Sequence, residues 1–133
     1  MPHLTLEYSA NLDDGEGIAT LCDKLARCLD AVRDGDKRVY PVGGIRVRAL
    51  RCEQYCVGVG GTDAAFLHAN LKMARGRTEE VQRRTGDAIL EVLKEHFAQA
   101  FEQRGLALSV EVNEFGPLGT WKHNNLHERL KSS

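Results

Sequence analysis

Nothing in this chain ties it to nucleic acid, membrane or metal. Its formal net charge is −1 over 133 residues, so bulk attraction to a polyanion is not its driving force. No apolar run is long enough to span a bilayer. The opening Met1-Pro2-His3-Leu4-Thr5-Leu6-Glu7 has no basic segment leading into an apolar stretch, so no secretory signal is read and the expected compartment is the cytoplasm. Cys22, Cys28, Cys52 and Cys56 form no CxxC pair, and the histidines lack zinc-finger spacing, so no metal site is expected. All four thiols are expected to stay reduced in that compartment, Cys22 and Cys28 on a helical stripe and Cys52 and Cys56 in a loop. Gly58-Val59-Gly60-Gly61 lacks the lysine and hydroxyl ending of a phosphate loop.

What the chain does have is an internal repeat. Leu4-Thr5-Leu6-Glu7-Tyr8 and Leu67-His68-Ala69-Asn70-Leu71 both alternate apolar and polar residues, and they stand 63 positions apart. Ile45-Arg46-Val47-Arg48 and Leu108-Ser109-Val110-Glu111 alternate likewise, at the same offset. That period of two marks half-buried strands. Between the members of each pair lies a helical pattern. In the first, Ile18, Leu21, Cys22, Leu25, Cys28, Leu29 and Val32 share a stripe, opened by Asp13-Asp14 and closed by Gly35. In the second, Val81, Ala88, Ile89, Val92, Leu93, Phe97, Ala100 and Phe101 do the same. This helix starts near Thr78, with Glu79 and Glu80 in its first turn, and Gly105 follows its end.

The expected fold is therefore α/β (α+β): a tandem βαβ repeat forming a four-stranded mixed sheet with two helices on one face. One domain is expected over residues 1–133, with repeats at about 2–63 and 64–115 and a C-terminal segment 116–133. The other face of the sheet carries Thr5, Glu7, Arg46, Arg48, His68, Asn70, Ser109 and Glu111. It either meets water or forms a polar interface between subunits. Glu7 and Glu111 are placed to pair with Arg48 across it, and His3 and His68 read as interface or surface groups.

The chemistry gathers around Pro2. Removal of Met1 would leave a proline whose ring nitrogen is a free secondary amine, the one setting in which proline is a base. An α-amino group ordinarily titrates near ~7.7–8.0, and burial or nearby cations lower that value. Strand two of a parallel βαβ unit starts at the same edge as strand one, which puts Arg46 within ~10 Å of Pro2 even with one strand between them. If the second unit runs antiparallel to the first, Ala74-Arg75-Gly76-Arg77-Thr78 reaches that edge as well, and Arg77 joins. Two guanidinium groups would depress the amine's pKa, grip carboxylates bidentately and steady the charge that develops as a proton leaves carbon. The second repeat has Ala65 where the first has Pro2. Taken alone, Arg46 also reads as an outward strand residue and Arg77 as a solvated helix start. Trp121 and Phe115 read as core or interface packing, or as an apolar wall. His123 and His127 are given no catalytic role, and Asn124 and Asn125 are read as capping or bridging residues.

These residues resemble the tautomerase superfamily, and within it the family of 5-carboxymethyl-2-hydroxymuconate isomerases. The likeness runs through Met1-Pro2-His3, Gly44-Ile45-Arg46, Ala65-Phe66-Leu67-His68, Leu71-Lys72, Gly76-Arg77, Ala107-Leu108-Ser109 and Asn124-Asn125-Leu126-His127. It implies a homotrimer with sheets facing inward, and a cofactor-free 1,3-proton shift on a di- or tricarboxylate in homoprotocatechuate breakdown. It also implies Pro2 as proton carrier, with Arg46 and Arg77 as carboxylate binders. Two other functions stand beside it: another activity of the superfamily, such as dehalogenation or decarboxylation, or a non-catalytic trimeric binder of small acids. The loop 51–64 is expected near the pocket, and it is where the likeness thins.

Overall fold

A computed structural model describes residues 1–12 and 15–130. In chain order the regular elements are β1 (His3–Ser9), α1 (Ile18–Ala31), β2 (Arg33–Asp34), β3 (Lys37–Arg38), β4 (Arg46–Cys52), β5 (Ala65–Met73), α2 (Glu79–His96), α3 (Ala98–Gln103), β6 (Leu106–Glu114) and α4 (Leu126–Leu130), with 3₁₀ turns at Ala10–Leu12 and Val42–Gly44. One four-stranded sheet runs in the order β4-β1-β5-β6, with a separate two-stranded ribbon of β2 and β3. β1 pairs parallel with β4, β5 pairs parallel with β6, and the two units meet antiparallel through β1 and β5. This is the four-stranded mixed sheet expected from the sequence.

Alternation sets the two faces. Leu4, Leu6 and Tyr8 of β1 and Leu67, Ala69, Leu71 and Met73 of β5 are buried, and they form one core with Leu21, Leu25 and Leu29 of α1 and Ile89 and Leu93 of α2. Each such leucine taken out of water contributes about 1.5–3 kcal/mol. The two repeats differ in register by two residues, since Leu4 faces Val47 where Leu67 faces Leu108. A slip of two keeps every side chain on its own face, whereas a slip of one would reverse them.

Several boundaries depart from the expected pattern. α1 begins after Gly17 in the left-handed conformation with no side-chain cap, and Asp13-Asp14 lie outside the described residues. It ends at Ala31 with Val32 extended. Gly35 instead sits in the tight turn between β2 and β3, where φ of +62° favours glycine. The second helical stripe breaks at Phe97 (φ −103°, ψ 19°) into α2 and α3, and Phe101 beyond the break is 62% exposed rather than in the core. β4 runs on through Cys52, so that cysteine is in a strand and not a loop. All four cysteines are free. Thr78 caps α2, its Oγ1 accepting from Val81 N–H at 3.2 Å, with Glu79 and Glu80 in the first turn.

Leu71→Ala should lower unfolding free energy by about 2–5 kcal/mol, against about 1 kcal/mol for Thr78→Ala, both read from urea denaturation.

Candidate active site

Four strand ends converge on one edge of the sheet. His3 stands beside Arg46 in the parallel pair, and Arg46 N–H donates to the Pro2 carbonyl at 3.1 Å. No strand intervenes between them, so the two starts are closer than the sequence required. On the other side of β1, His3 faces Lys72 near the end of β5. The segment after Met73 therefore turns at this edge and leads into α2. Pro2 is buried, while Arg46 and Arg77 are half-buried.

Both guanidinium groups are held by carbonyl oxygens. Arg46 Nη1 donates to Gly44 O at 3.1 Å. Arg77 donates through Nη1 to Ala74 O at 3.2 Å and through Nη2 to Val39 O at 3.1 Å. Its guanidinium carbon also lies 5.2 Å from the centre of the Tyr40 ring, a cation–π contact. Tyr40 is fully buried, and its hydroxyl meets Thr85 Oγ1 at 2.9 Å. That places a rigid aromatic floor under Arg77, which sequence reasoning missed; a lone tyrosine before Pro41 carries no periodic signal. Among the described residues neither arginine forms an ion pair with a carboxylate.

The free amine in the structure is that of Met1, one residue beyond the proline nitrogen that loss of Met1 would expose. Its pKa falls from 8.0 to about 6, first through burial and then through the positive charges of Arg77, Lys122 and Arg46. A neutral amine at pH 7 is thus the favoured state at this place. His3 is likewise held below its usual value, by burial and then by Arg48, Arg46 and the amino terminus. Cations thus act on both groups at this edge.

Lys122 reaches this edge through the C-terminal segment, whose α4 packs on the Val42–Gly44 turn. The fit is tight. A Cβ at Gly43 would come within 2.7 Å of the His127 backbone, and one at Gly44 within 3.2 Å of Met1 Cα. Asn124 caps α4, its Oδ1 accepting from Leu126 N–H at 3.1 Å. The sequence pattern singled out the Asn124 to His127 stretch but not the lysine before it.

Other expected partners separate. Arg48 Nη1 donates to His3 Nδ1 at 3.2 Å, and Glu111 meets His68 Nε2 at 3.3 Å, so neither expected pairing of Arg48 with Glu7 or Glu111 is the one formed. The loop 51–64 lies at the opposite edge of the sheet, beyond the Ser9–Cys52 end of the parallel pair. Within one chain it is a full strand's length from the amine, which corrects its expected place near the pocket. Asn11 fixes it there through the carbonyls of Asp63 and Ala64. Phe115 lies edge-on to His3 at 6.0 Å on the open face of the sheet, and Trp121 is 85% exposed on this chain, so neither packs in the core.

Two βαβ units meeting antiparallel, with the amino terminus among cations at the strand edge, define the tautomerase fold. The solved structure of a fused 4-OT, a symmetric trimer, shares it, with a TM-score of 0.66 at 15% identity, covering 91% of this chain and 93% of that one. Residues 2–130 match the family model of 5-carboxymethyl-2-hydroxymuconate isomerase, and the chain belongs to that family. The 5-carboxymethyl-2-hydroxymuconate Delta-isomerase of Escherichia coli is 34% identical over 131 residues, 98% of this chain and 100% of that protein. The crystal structure of a 5-carboxymethyl-2-hydroxymuconate isomerase from Deinococcus radiodurans R1 is 46% identical with a TM-score of 0.86, covering 96% and 92% of the two chains. This chain is accordingly an isomerase.

Replacing a cation near the amine favours its protonated form, so Arg77→Ala should raise the amino-terminal pKa from about 6 toward 8.0; an NMR titration of the terminal amine reads the shift. Gly43→Ala should lever α4 off its turn, making the segment after Phe115 the first site cut in limited proteolysis.

Proposed function

We propose that the chain catalyses a proton shift on 5-carboxymethyl-2-hydroxymuconate, from the 2-hydroxyl to carbon five, giving 5-carboxy-2-oxohept-3-enedioate, with Pro2 as the proton carrier and Arg46 and Arg77 as carboxylate binders. After loss of Met1 the proline nitrogen takes the proton of the 2-hydroxyl. The enolate electrons shift along the conjugated chain, and the ammonium returns a proton at carbon five. Atoms and charge balance within the substrate, so the reaction needs no redox partner. The observation carrying this reading is the strand edge itself, where the Met1 amine drops to about 6 through burial and through cations that, among the described residues, lack carboxylate partners. A base with a pKa near the working pH is mostly neutral there and still able to give its proton back. The arginines serve both states, binding ground-state carboxylates and stabilising the enolate that forms between the two transfers.

The wider setting follows from the same reading. The chain acts as a single domain in homoprotocatechuate breakdown and assembles as a homotrimer. The family's substrate specificity and the symmetric trimer of the fused neighbour support this. The open polar sheet face supports it too, as do Leu118 and Trp121, 86% and 85% exposed. Four free cysteines accord with the cytoplasm, and among the described residues no helix is long and apolar enough to cross a membrane.

An ultraviolet assay of muconate consumption tests the activity, after mass spectrometry has verified loss of Met1. Pro2→Ala should lower kcat by about 100-fold, at the low end of what a positioned acid–base group contributes. Equal turnover by the two proteins would end this reading. In wild type kcat/KM should fall on the acid side as the amine gains its proton, and Arg77→Ala should move that limb to higher pH.

A further inference from the structure

We infer that Lys122 is a third anion-binding residue, which with Arg46 and Arg77 forms a site for three carboxylates on one small molecule. The inference rests on the proposed reaction class and adds to it the residue that recognises the third acid group.

The path of the chain carries it. β6 is one edge strand of the sheet and β4 is the other. The segment 116–125 leaves the end of β6 and arrives at α4, which sits on the turn just before β4. Both anchors are at the amine's edge. At the near end Phe115 N–H donates to Met73 O at 2.8 Å, and Arg75 Nε donates to Phe115 O at 3.3 Å. At the far end the Gly43 contact with the His127 backbone admits no side chain. A chain joining these anchors crosses three strand spacings, about 14 Å, well within the reach of its residues. The direct line between the anchors passes over the end of β5 and the start of β1, where Pro2 stands, and the Lys122 charge acts on the terminal amine there. Lys122 lies in the second half of that arch, after the turn closed by Gly119 N–H to Gly116 O at 2.8 Å.

Charge supplies the second argument. Among the described residues Lys122, like Arg46 and Arg77, has no carboxylate partner. Three like charges held around one amine repel each other, and an anion of matching charge relieves the repulsion. The substrate of the proposed reaction is a muconate, which has two carboxylates, bearing a carboxymethyl group that adds a third. The arginines present planar forks suited to bidentate grip, whereas the lysine is a point charge on a flexible stem. A mobile arm such as carboxymethyl is the group a flexible cation can follow.

Binding of non-reactive acids reads this directly. The probes are propane-1,2,3-tricarboxylate and glutarate, titrated by calorimetry into protein lacking Met1. Lys122→Gln should weaken the tricarboxylate about 10-fold and glutarate less than about 2-fold, with Lys122→Arg recovering most of the loss. Equal weakening of both probes, no weakening of either, or no binding of either by wild type would overturn the inference. A wild-type protein that binds the tricarboxylate through Lys122 yet leaves the muconate unchanged would instead end the proposed isomerisation and leave this assignment standing.

Discussion

Repulsion among like charges is the constraint around which this molecule is arranged. An amino terminus, two guanidinium groups and an ammonium share one edge of a small sheet, and the first of them gives up its proton more readily, through burial first and then through its cationic neighbours. Such an arrangement persists only if each cation is held by something other than a counter-ion. Here backbone carbonyls do that for the two arginines. Gly44 O holds Arg46, and Ala74 O and Val39 O hold Arg77. Carbonyl oxygens fix the direction of a guanidinium without neutralising it, so the charge stays available to an incoming acid. A carboxylate in the same position would have made the edge more stable and left it less useful.

The opposite side of the sheet supplies the stability that the edge gives up. The alternating leucines of β1 and β5 close against α1 and α2 in one core, and the Tyr40 ring continues that core up to the Arg77 guanidinium. Packing and electrostatics thus meet at one residue. The Tyr40 hydroxyl is held by Thr85, itself fully buried on α2 and bonded back to Val81 O at 2.8 Å. Each link is short, so the cation's position is inherited from the helix rather than from a flexible loop.

Period-two alternation and the 63-residue offset were enough to place all four main strands and both helical layers. They also placed Pro2 and Arg46 on one edge, because strand direction follows from connection type, whereas the segment around Arg77 joins them through the antiparallel pairing of β1 with β5. Single-residue choices were not legible. Gly35 reads equally well as a helix stop or a hairpin turn, and only the β2–β3 pairing decides. The stripe from Val81 to Phe101 is continuous in apolar spacing, so its break at Phe97 left no mark in the pattern. Arg48 sits two residues from Arg46 on the same face, and its choice of His3 over Glu111 depends on side-chain reach across β1. Lys122 was invisible for a different reason. Its place depends on where an irregular segment crosses the sheet, and periodicity says nothing about irregular chain.

The repeat shows why one edge is suited to chemistry and its counterpart is not. Ala65 stands at the start of β5 as Pro2 stands before β1, but at the opposite end of the sheet, because the two units are antiparallel. There the equivalent nitrogen is an amide, and it donates to Gly105 O at 2.9 Å. The position matching Arg46 holds Ser109, whose hydroxyl meets His68 Nδ1 at 2.7 Å. A cation at that end, Arg104, bridges the Asn11 and Asp63 carbonyls and so ties the loop 51–64 to the turn after β1. Carbonyls hold an arginine at both ends, and the amino terminus lies at one of them. A doubled fold gives two similar edges, and a free amine can occupy just one of them, so the second is left to hold the chain together.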